Sequence, residues 1–191
     1  MEAEIGGNEE DVRLMEGIAE GERRALEQLY AKHHKRVFLF IRRFESNIAI
    51  AEDLANDVFL DIWDKAASFE GRSKVSSWIL GMARFKALSE IRKRRNTVDP
   101  DDVMGEMEDE GDTPEVAAQK KDKGAVLMEC VQRLSQEHRI VVDLIYYQEQ
   151  SIKEAAEVLQ VPENTIKTRM FHARKKLSEM MSDAGLDRGW P

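Results

Sequence analysis

One short segment of the chain concentrates side chains that could bind a polyanion. From Thr165 to Leu177 there are five lysine or arginine residues and no acidic residue. At 3.6 residues per turn, the apolar residues of this segment share one helical face, and the opposite face carries cations around an aromatic ring. Such a face suits phosphate binding and contact with a thymine methyl group in the major groove of DNA. The residues predicted to contact DNA are Lys167, Thr168, Phe171, His172 and Lys175, flanked by Arg169 and Arg174.

The residues before this segment supply the elements that would position it. Ser151 is a candidate helix N-cap, and Glu154 follows at the spacing of a capping box. A short helix over Ile152–Leu159 and a turn over residues 160–163 would precede a last helix that begins near Asn164 or Thr165. This order predicts a helix-turn-helix. Such a motif can also serve protein contact or the fold alone, and that alternative stays open.

A second basic cluster lies in the segment 76–95. Six of the twelve residues from Arg84 to Arg95 are basic and one is acidic. The helix dipole favours cations near a helix C-terminus, but six exceed that need and indicate phosphate binding. A preceding loop carries Phe69, an aromatic that could stack on or enclose unstacked bases. The candidate contacts of this region are Phe69, Arg72, Arg84, Lys86 and Arg92, and the residues predicted to face a core are Trp78, Ile79, Met82, Leu88 and Ile91.

The segment 51–63 predicts an amphipathic helix with an acidic stripe. Two neighbouring apolar stripes at i, i+4 spacing predict a core contact. Beyond them Asp53, Asp57 and Asp61 form a third stripe, in which carboxylates one turn apart repel one another. A basic surface on a partner would offset this repulsion. Solvation alone would also tolerate it.

The distribution of charge divides the chain into two parts. The net charge is -8, and residues 97–119 contain nine acidic and no basic side chains. Prolines and glycines interrupt that stretch, which is typical of a flexible linker. The linker is either a solvated spacer or an acidic segment that occupies a basic channel on a partner. Helical patterns, including one around residues 22–43, and the absence of strand signals predict an all-α protein: a domain at 1–96, a linker at 97–122, and a four-helix domain with the helix-turn-helix at 123–191.

Composition argues against several classes of protein. A single cysteine and four scattered histidines do not suit a disulfide scaffold or a zinc site, so no metal or cofactor is expected. No apolar run is long enough to cross a membrane, and a reducing cytoplasm is the expected location. No Ser/His/Asp arrangement, phosphate-binding glycine loop or carboxylate pair beside a histidine indicates an enzyme.

Taken together, three segments resemble the extracytoplasmic-function (ECF) sigma factors of bacterial RNA polymerase. They are AEDLANDVFLDIW, SSWILGMARFKALSEIRKRR and SIKEAAEVLQVPENTIKTRMFHARKKL, in the family's order and spacing. The resemblance implies that the helix at 51–63 docks on the polymerase through Asp53, Asn56, Asp57 and Asp61. It also implies that the region 69–95 opens the minus-ten promoter element and that the helix from Asn164 reads the minus-thirty-five element. The linker would follow the RNA exit path, and an anti-sigma factor would restrain the protein.

Two positions depart from the family's pattern. Phe85 stands where the family commonly has asparagine, beside the pocket for a flipped minus-ten base. His172 stands in the recognition helix where arginine is usual, and a neutral imidazole offers one donor in place of a guanidinium fork. The alternative to a sigma factor is a two-domain DNA-binding regulator that acts without polymerase.

Overall fold

The structure, a computed structural model, describes residues 2–97 and 123–184, with side chains described for 7–95 and 124–184. Across these residues the secondary structure is helical and no strand occurs. The helices are α1 (Glu2–Ala19), α2 (Arg23–Ile41), α3 (Ile48–Lys65), α4 (Val75–Thr97), α5 (Lys123–Gln132), α6 (Gln136–Val142), α7 (Ile152–Leu159) and α8 (Glu163–Asp183). The all-α prediction is therefore confirmed.

The chain divides into two compact units. The first contains α1 to α4, and the second contains most of α5 to α8. Two helical domains, the second with four helices, are as expected from the sequence. The acidic linker at 97–122 lies, apart from Thr97, outside the described residues. The predicted domain limits stay a prediction.

The first unit begins with α1, which the sequence analysis did not identify. This helix packs on α2 and α4 and buries Met15 and Ile18. A buried polar contact joins α1 to α2, because Asp11 Oδ2 lies 2.8 Å from His33 Nε2. Lys32 Nζ lies 2.7 Å from the other carboxylate oxygen of Asp11. Burial alone would raise the pKa of Asp11, but the hydrogen bonds from His33 and Lys32 outweigh it and the pKa is lowered.

Helix α3 begins earlier than the pattern suggested. The side chain of Asn47 caps it by accepting hydrogen bonds from the backbone N–H groups of Ala49 and Ile50 at 3.0 and 3.2 Å. Both apolar stripes face the core as predicted, with Trp63 at their end only partly buried. The buried residues of the stripes are Leu54, Ala55, Val58, Phe59 and Ile62.

Helix α4 uses a different core face from the one predicted. Of the five apolar residues expected in the core only Ile79 is buried, and Trp78, Met82, Leu88 and Ile91 are partly exposed. The buried face consists of Val75, Ile79, Leu80, Ala83 and Ala87. Two of the residues at the contact of α4 with α2 and α3 are alanines, whereas the larger side chains stay partly exposed. At its N-terminus, the side chain of Asn8 accepts a hydrogen bond from Val75 N–H at 3.1 Å.

The predicted helix-turn-helix is formed by α7, the turn after it and α8. The capping box is present: Ser151 N–H donates to Glu154 Oε2 at 2.7 Å, and Glu154 N–H donates to Ser151 Oγ at 3.2 Å. Helix α7 ends in a turn in which Gln160 adopts a left-handed conformation with φ of 52°. Helix α8 then buries the expected face: Ile166, Met170, Ala173 and Leu177. One turn of π-helix, Asp143–Tyr147, continues α6 and was not predicted.

Candidate functional site

The solvent side of α8 carries the residues that the sequence assigned to DNA. Lys167, Thr168, Phe171, His172 and Lys175 are all exposed, and we call these five the recognition face. Phe171 is 65% exposed, which is a high value for an aromatic side chain. Its ring meets the imidazole of His172 edge to face, with the centroids 5.5 Å apart. The structure therefore brings the predicted residues together on one accessible surface.

The lysines of the recognition face are only weakly engaged within the protein. Lys167 Nζ lies 4.0 Å from Glu163 Oε2, and Lys175 Nζ lies 4.0 Å from Glu179 Oε1. Exposed pairs at this distance contribute little free energy and are screened by salt. Both ammonium groups can exchange these partners for phosphates. Thr168 donates its hydroxyl to the carbonyl of Asn164 at 2.9 Å, a bond within the exposed first turns of the helix.

The two flanking arginines bind other parts of the second unit. Arg169 Nη2 lies 3.0 Å from Glu137 Oε1, and the Arg169 side chain is 24% exposed. Arg174 donates from Nε to the hydroxyl of Tyr146 at 3.0 Å, and its guanidinium carbon lies 5.8 Å from the centroid of that ring. These contacts hold α8 against α6 and the π-helical turn. Arg169 and Arg174 thus have structural partners that the sequence did not indicate.

The predicted polymerase-docking residues lie along α3. Asp53, Asn56 and Asp57 are exposed, and Asp61 is partly buried; we call these four the acidic face. Asn56 Oδ1 accepts a hydrogen bond from the hydroxyl of Tyr30 at 3.0 Å, so the orientation of this amide is fixed from α2.

An apolar residue within the acidic face was missed by the sequence analysis. Leu60 is 63% exposed and follows Asn56 by one helical turn. The signal was present in the sequence, since Leu60 belongs to neither of the two apolar stripes that face the core. An exposed leucine surrounded by carboxylates is a candidate anchor for a partner helix.

Asp61 is neutralised by two lysines of the same chain. Lys65 Nζ lies 2.8 Å from Oδ2 of Asp61 and Lys86 Nζ lies 3.1 Å from Oδ1. Burial alone would raise the pKa of Asp61, but the hydrogen bonds from Lys65 and Lys86 outweigh it and the pKa is lowered. These two lysines therefore offset part of the repulsion expected among the carboxylates of the acidic stripe.

The candidate minus-ten residues of α4 differ in their exposure. Phe85 is 67% exposed and Arg92 is exposed, whereas Arg84 and Lys86 are partly buried. Burial lowers the pKa of Arg84, because it disfavours the charged guanidinium. Arg94, another cation of this cluster, forms an ion pair with the buried Glu45. The basic cluster thus divides into exposed cations and cations that stabilise the fold.

The loop before α4 places its aromatic against that helix. The Phe69 ring meets the Trp78 ring edge to face at a centroid distance of 5.4 Å. Gly71 adopts a left-handed backbone with φ of 68°, which allows the loop to turn. Arg72 is exposed and pairs with Glu70. Phe69 is partly buried, so its packing on Trp78 limits the ring surface available for stacking.

Other site types find no support in the part of the chain that the structure describes. There, no group of three or more histidine, cysteine, aspartate or glutamate side chains is placed to hold a metal ion. The helices in those ranges are too short or too polar to span a bilayer. Cys130, the single cysteine, is buried.

Comparison with known proteins identifies the family. Residues 29–97 match the family described as Sigma-70 region 2, and residues 125–177 match Sigma-70, region 4. The RNA polymerase sigma-H factor of Pseudomonas aeruginosa is 26% identical over 182 residues, covering 91% of this chain and 94% of that protein. The ECF RNA polymerase sigma factor RpoE of Cereibacter sphaeroides is 28% identical over 173 residues, covering 90% of this chain and 94% of that protein.

A solved structure agrees with these matches. The sigma factor RpoE of Bartonella quintana, crystallised with the anti-sigma factor NepR, superposes with a TM-score of 0.65 at 27% identity, covering 85% of this chain and 98% of its own. The matches to Sigma-70 region 2 and region 4 together place the chain in the sigma-70 class. This chain belongs to the ECF sigma factors. Sigma factors of this kind are transcription initiation factors.

Proposed function

We propose that this protein binds core RNA polymerase through the acidic face of α3 and directs it to promoters through the recognition face of α8. The observation that carries the proposal is the pair of exposed, chemically opposite surfaces on separate units. One surface offers Asp53, Asn56, Asp57 and Leu60 to a basic, partly apolar partner. The other offers lysines around the exposed Phe171 to DNA.

The remaining assignments follow from the same division of labour. The domain at 1–96 docks on the polymerase and opens the minus-ten element with Phe69, Arg72, Arg84, Phe85 and Arg92. The domain at 123–191 reads the minus-thirty-five element, and Asn164, Arg169 and Arg174 support the recognition face. The linker at 97–122 follows the RNA exit path of the polymerase. The protein acts in the cytoplasm, has no catalytic activity of its own and uses no cofactor.

An anti-sigma partner completes the proposal. The RpoE of Bartonella quintana was crystallised with one. In this chain Ile48 and Leu60, both on α3, are 64% and 63% exposed. Covering these apolar side chains would give a partner binding energy and would block the acidic face at the same time. An anti-sigma factor that binds here would therefore exclude the polymerase.

The deciding experiment is transcript start-site mapping on genomic DNA. Core polymerase is assayed with no addition, with the wild-type chain and with a Lys167→Ala, Phe171→Ala double variant. The wild-type chain should produce new starts that share two short motifs at fixed spacing, and the double variant should lose these starts while still binding the polymerase. DNA binding without any new start would favour the regulator that acts alone.

Charge reversal at Asp53 and Asp57 supplies the matched control, because these exposed residues belong to the other unit. This variant should lose polymerase binding, and the DNA affinity of the free chain should be unchanged. If each variant lost both activities, the assignment of the two faces would be wrong.

A further inference from the structure

Lys86 differs from the exposed cations of α4 in the position of its ammonium group. Its side chain is only 19% exposed. Its Nζ lies 3.1 Å from Asp61 Oδ1 and 3.8 Å from Asp57 Oδ2, and both carboxylates belong to α3. The ammonium group therefore joins two helices of the first unit and is turned away from the exposed side of α4.

The environment of this contact keeps the carboxylate charged. Lys65, one turn after Asp61 on the same helix, approaches the other oxygen of Asp61 at 2.8 Å. With two ammonium groups around it, Asp61 has a lowered pKa and stays ionised at neutral pH. Lys86 would have to give up this contact in order to reach a phosphate.

The neighbours of Lys86 show what the contact determines. Ala87 is 1% exposed and lies against the other helices, whereas Phe85 is 67% exposed. Consecutive residues project about 100° apart around a helix axis. Holding Lys86 over the carboxylates of α3 therefore helps the buried face of α4 to fix the rotation of this helix, and with it the direction in which Phe85 projects.

We propose that Lys86 is a positioning residue for promoter opening and not a ligand of DNA phosphates. It orients α4 on α3 so that Phe85 and the exposed cations face the melted strand. This inference rests on the proposed function. It replaces the sequence-based prediction that Lys86 contacts DNA.

The first test is the salt dependence of promoter binding. Polymerase holding the wild-type chain, Lys86→Gln or Arg92→Gln is titrated with a promoter fork whose minus-ten non-template strand is single-stranded. Loss of one phosphate contact on a single strand lowers the slope of log K against log salt by about 0.7. Lys86→Gln should keep the wild-type slope. Arg92→Gln, a variant of an exposed cation six residues further along the same helix, controls for loss of one positive charge.

The second test is the rate of promoter opening by the same holoenzymes on duplex DNA. Lys86→Gln should slow opening by about 1.5- to 5-fold, the range expected for a partly exposed ion pair. Lys86→Arg should restore the wild-type rate. Asp61→Asn should also slow opening, and the double variant Lys86→Gln, Asp61→Asn should open no more slowly than the slower single variant.

The outcomes separate this inference from the proposed function. A Lys86→Gln slope reduced by about 0.7, or an unchanged rate of opening, overturns the role of Lys86 while wild-type initiation stands. A wild-type chain that directs no promoter-specific initiation overturns the proposed function, and this inference with it. An unchanged slope, slower opening and rescue by arginine together support it.

Discussion

Replacing Phe171 by alanine should weaken promoter recognition without affecting the fold. A phenylalanine side chain can bury about 200 Å². Because Phe171 is 65% exposed, about 130 Å² of that surface is available to a partner. If half of it is covered by the edge of a base, the lost contact is about 1.6 kcal/mol at 25 cal/mol per Å², or about 15-fold in affinity.

The assay compares wild type, Phe171→Ala and Lys167→Ala in complex with core polymerase, by fluorescence anisotropy on a labelled promoter duplex at several salt concentrations. Phe171→Ala should lose affinity for the promoter and keep the wild-type salt slope, because the ring carries no charge. Lys167→Ala should weaken specific and non-specific DNA alike and lower the slope by about 0.9. Urea unfolding should be unchanged within about 0.5 kcal/mol for both variants, since both residues are exposed.

Two results would refute this reasoning. An unchanged promoter affinity for Phe171→Ala would mean that the ring does not contact a base. A loss of stability above about 1 kcal/mol would mean that Phe171 packs in the fold, contrary to its exposure.

Three further predictions concern docking, capping and pH. Leu60→Ser should weaken polymerase binding, measured by native gel shift, by about 1 to 3 kcal/mol, and the exposed Ser68→Ala should leave it unchanged. Ser151→Ala should lower the free energy of unfolding of the second unit by about 1 kcal/mol in urea titrations, because it removes one half of the capping box. Because folding lowers the pKa of Asp11, ionised Asp11 stabilises the folded protein. This stabilisation is complete at pH values above the ordinary pKa of 3.8 and is lost as the pH falls through the lower pKa of the folded state. Asp11→Asn should therefore remove that part of the acid-induced loss of stability. If the free energy of unfolding of the variant fell with pH as steeply as that of wild type, Asp11 would be excluded as the source of this loss.

The sequence predicted the helix-turn-helix closely because its signals are local. A capping box, a 3.6-residue period and a proline in the turn all lie within one segment, and α7 spans the predicted residues. The core face of α4 was harder to predict, because large apolar residues dominate any periodic pattern. Close helix contacts select small ones such as Ala83 and Ala87. Helix α1 was missed because three glycines, which disfavour helix, interrupt its sequence.

For the candidate site, the sequence predicted the residue types and the faces but not the pairing of charges. The sequence predicted that Lys86, Arg169 and Arg174 are cations available to phosphates. The structure gives them partners on other elements: Asp61 on α3, Glu137 on α6 and Tyr146 in the π-helical turn. Such partners depend on how the helices meet, which no local pattern encodes. The division of cations into those that face solvent and those that hold the fold therefore required the tertiary structure.

The hydrogen bond between Asn8 and the amide of Val75 has a consequence for how the protein is made. The two residues are 67 positions apart. At about 5 to 20 residues per second, a ribosome needs about 3 to 13 seconds to add the second after the first. During that time α1 can pack only on α2 and α3, since α4 has not yet been made. Helix α1 therefore completes its packing only after α4 has been made, and this interval is when chaperones would matter most to the chain.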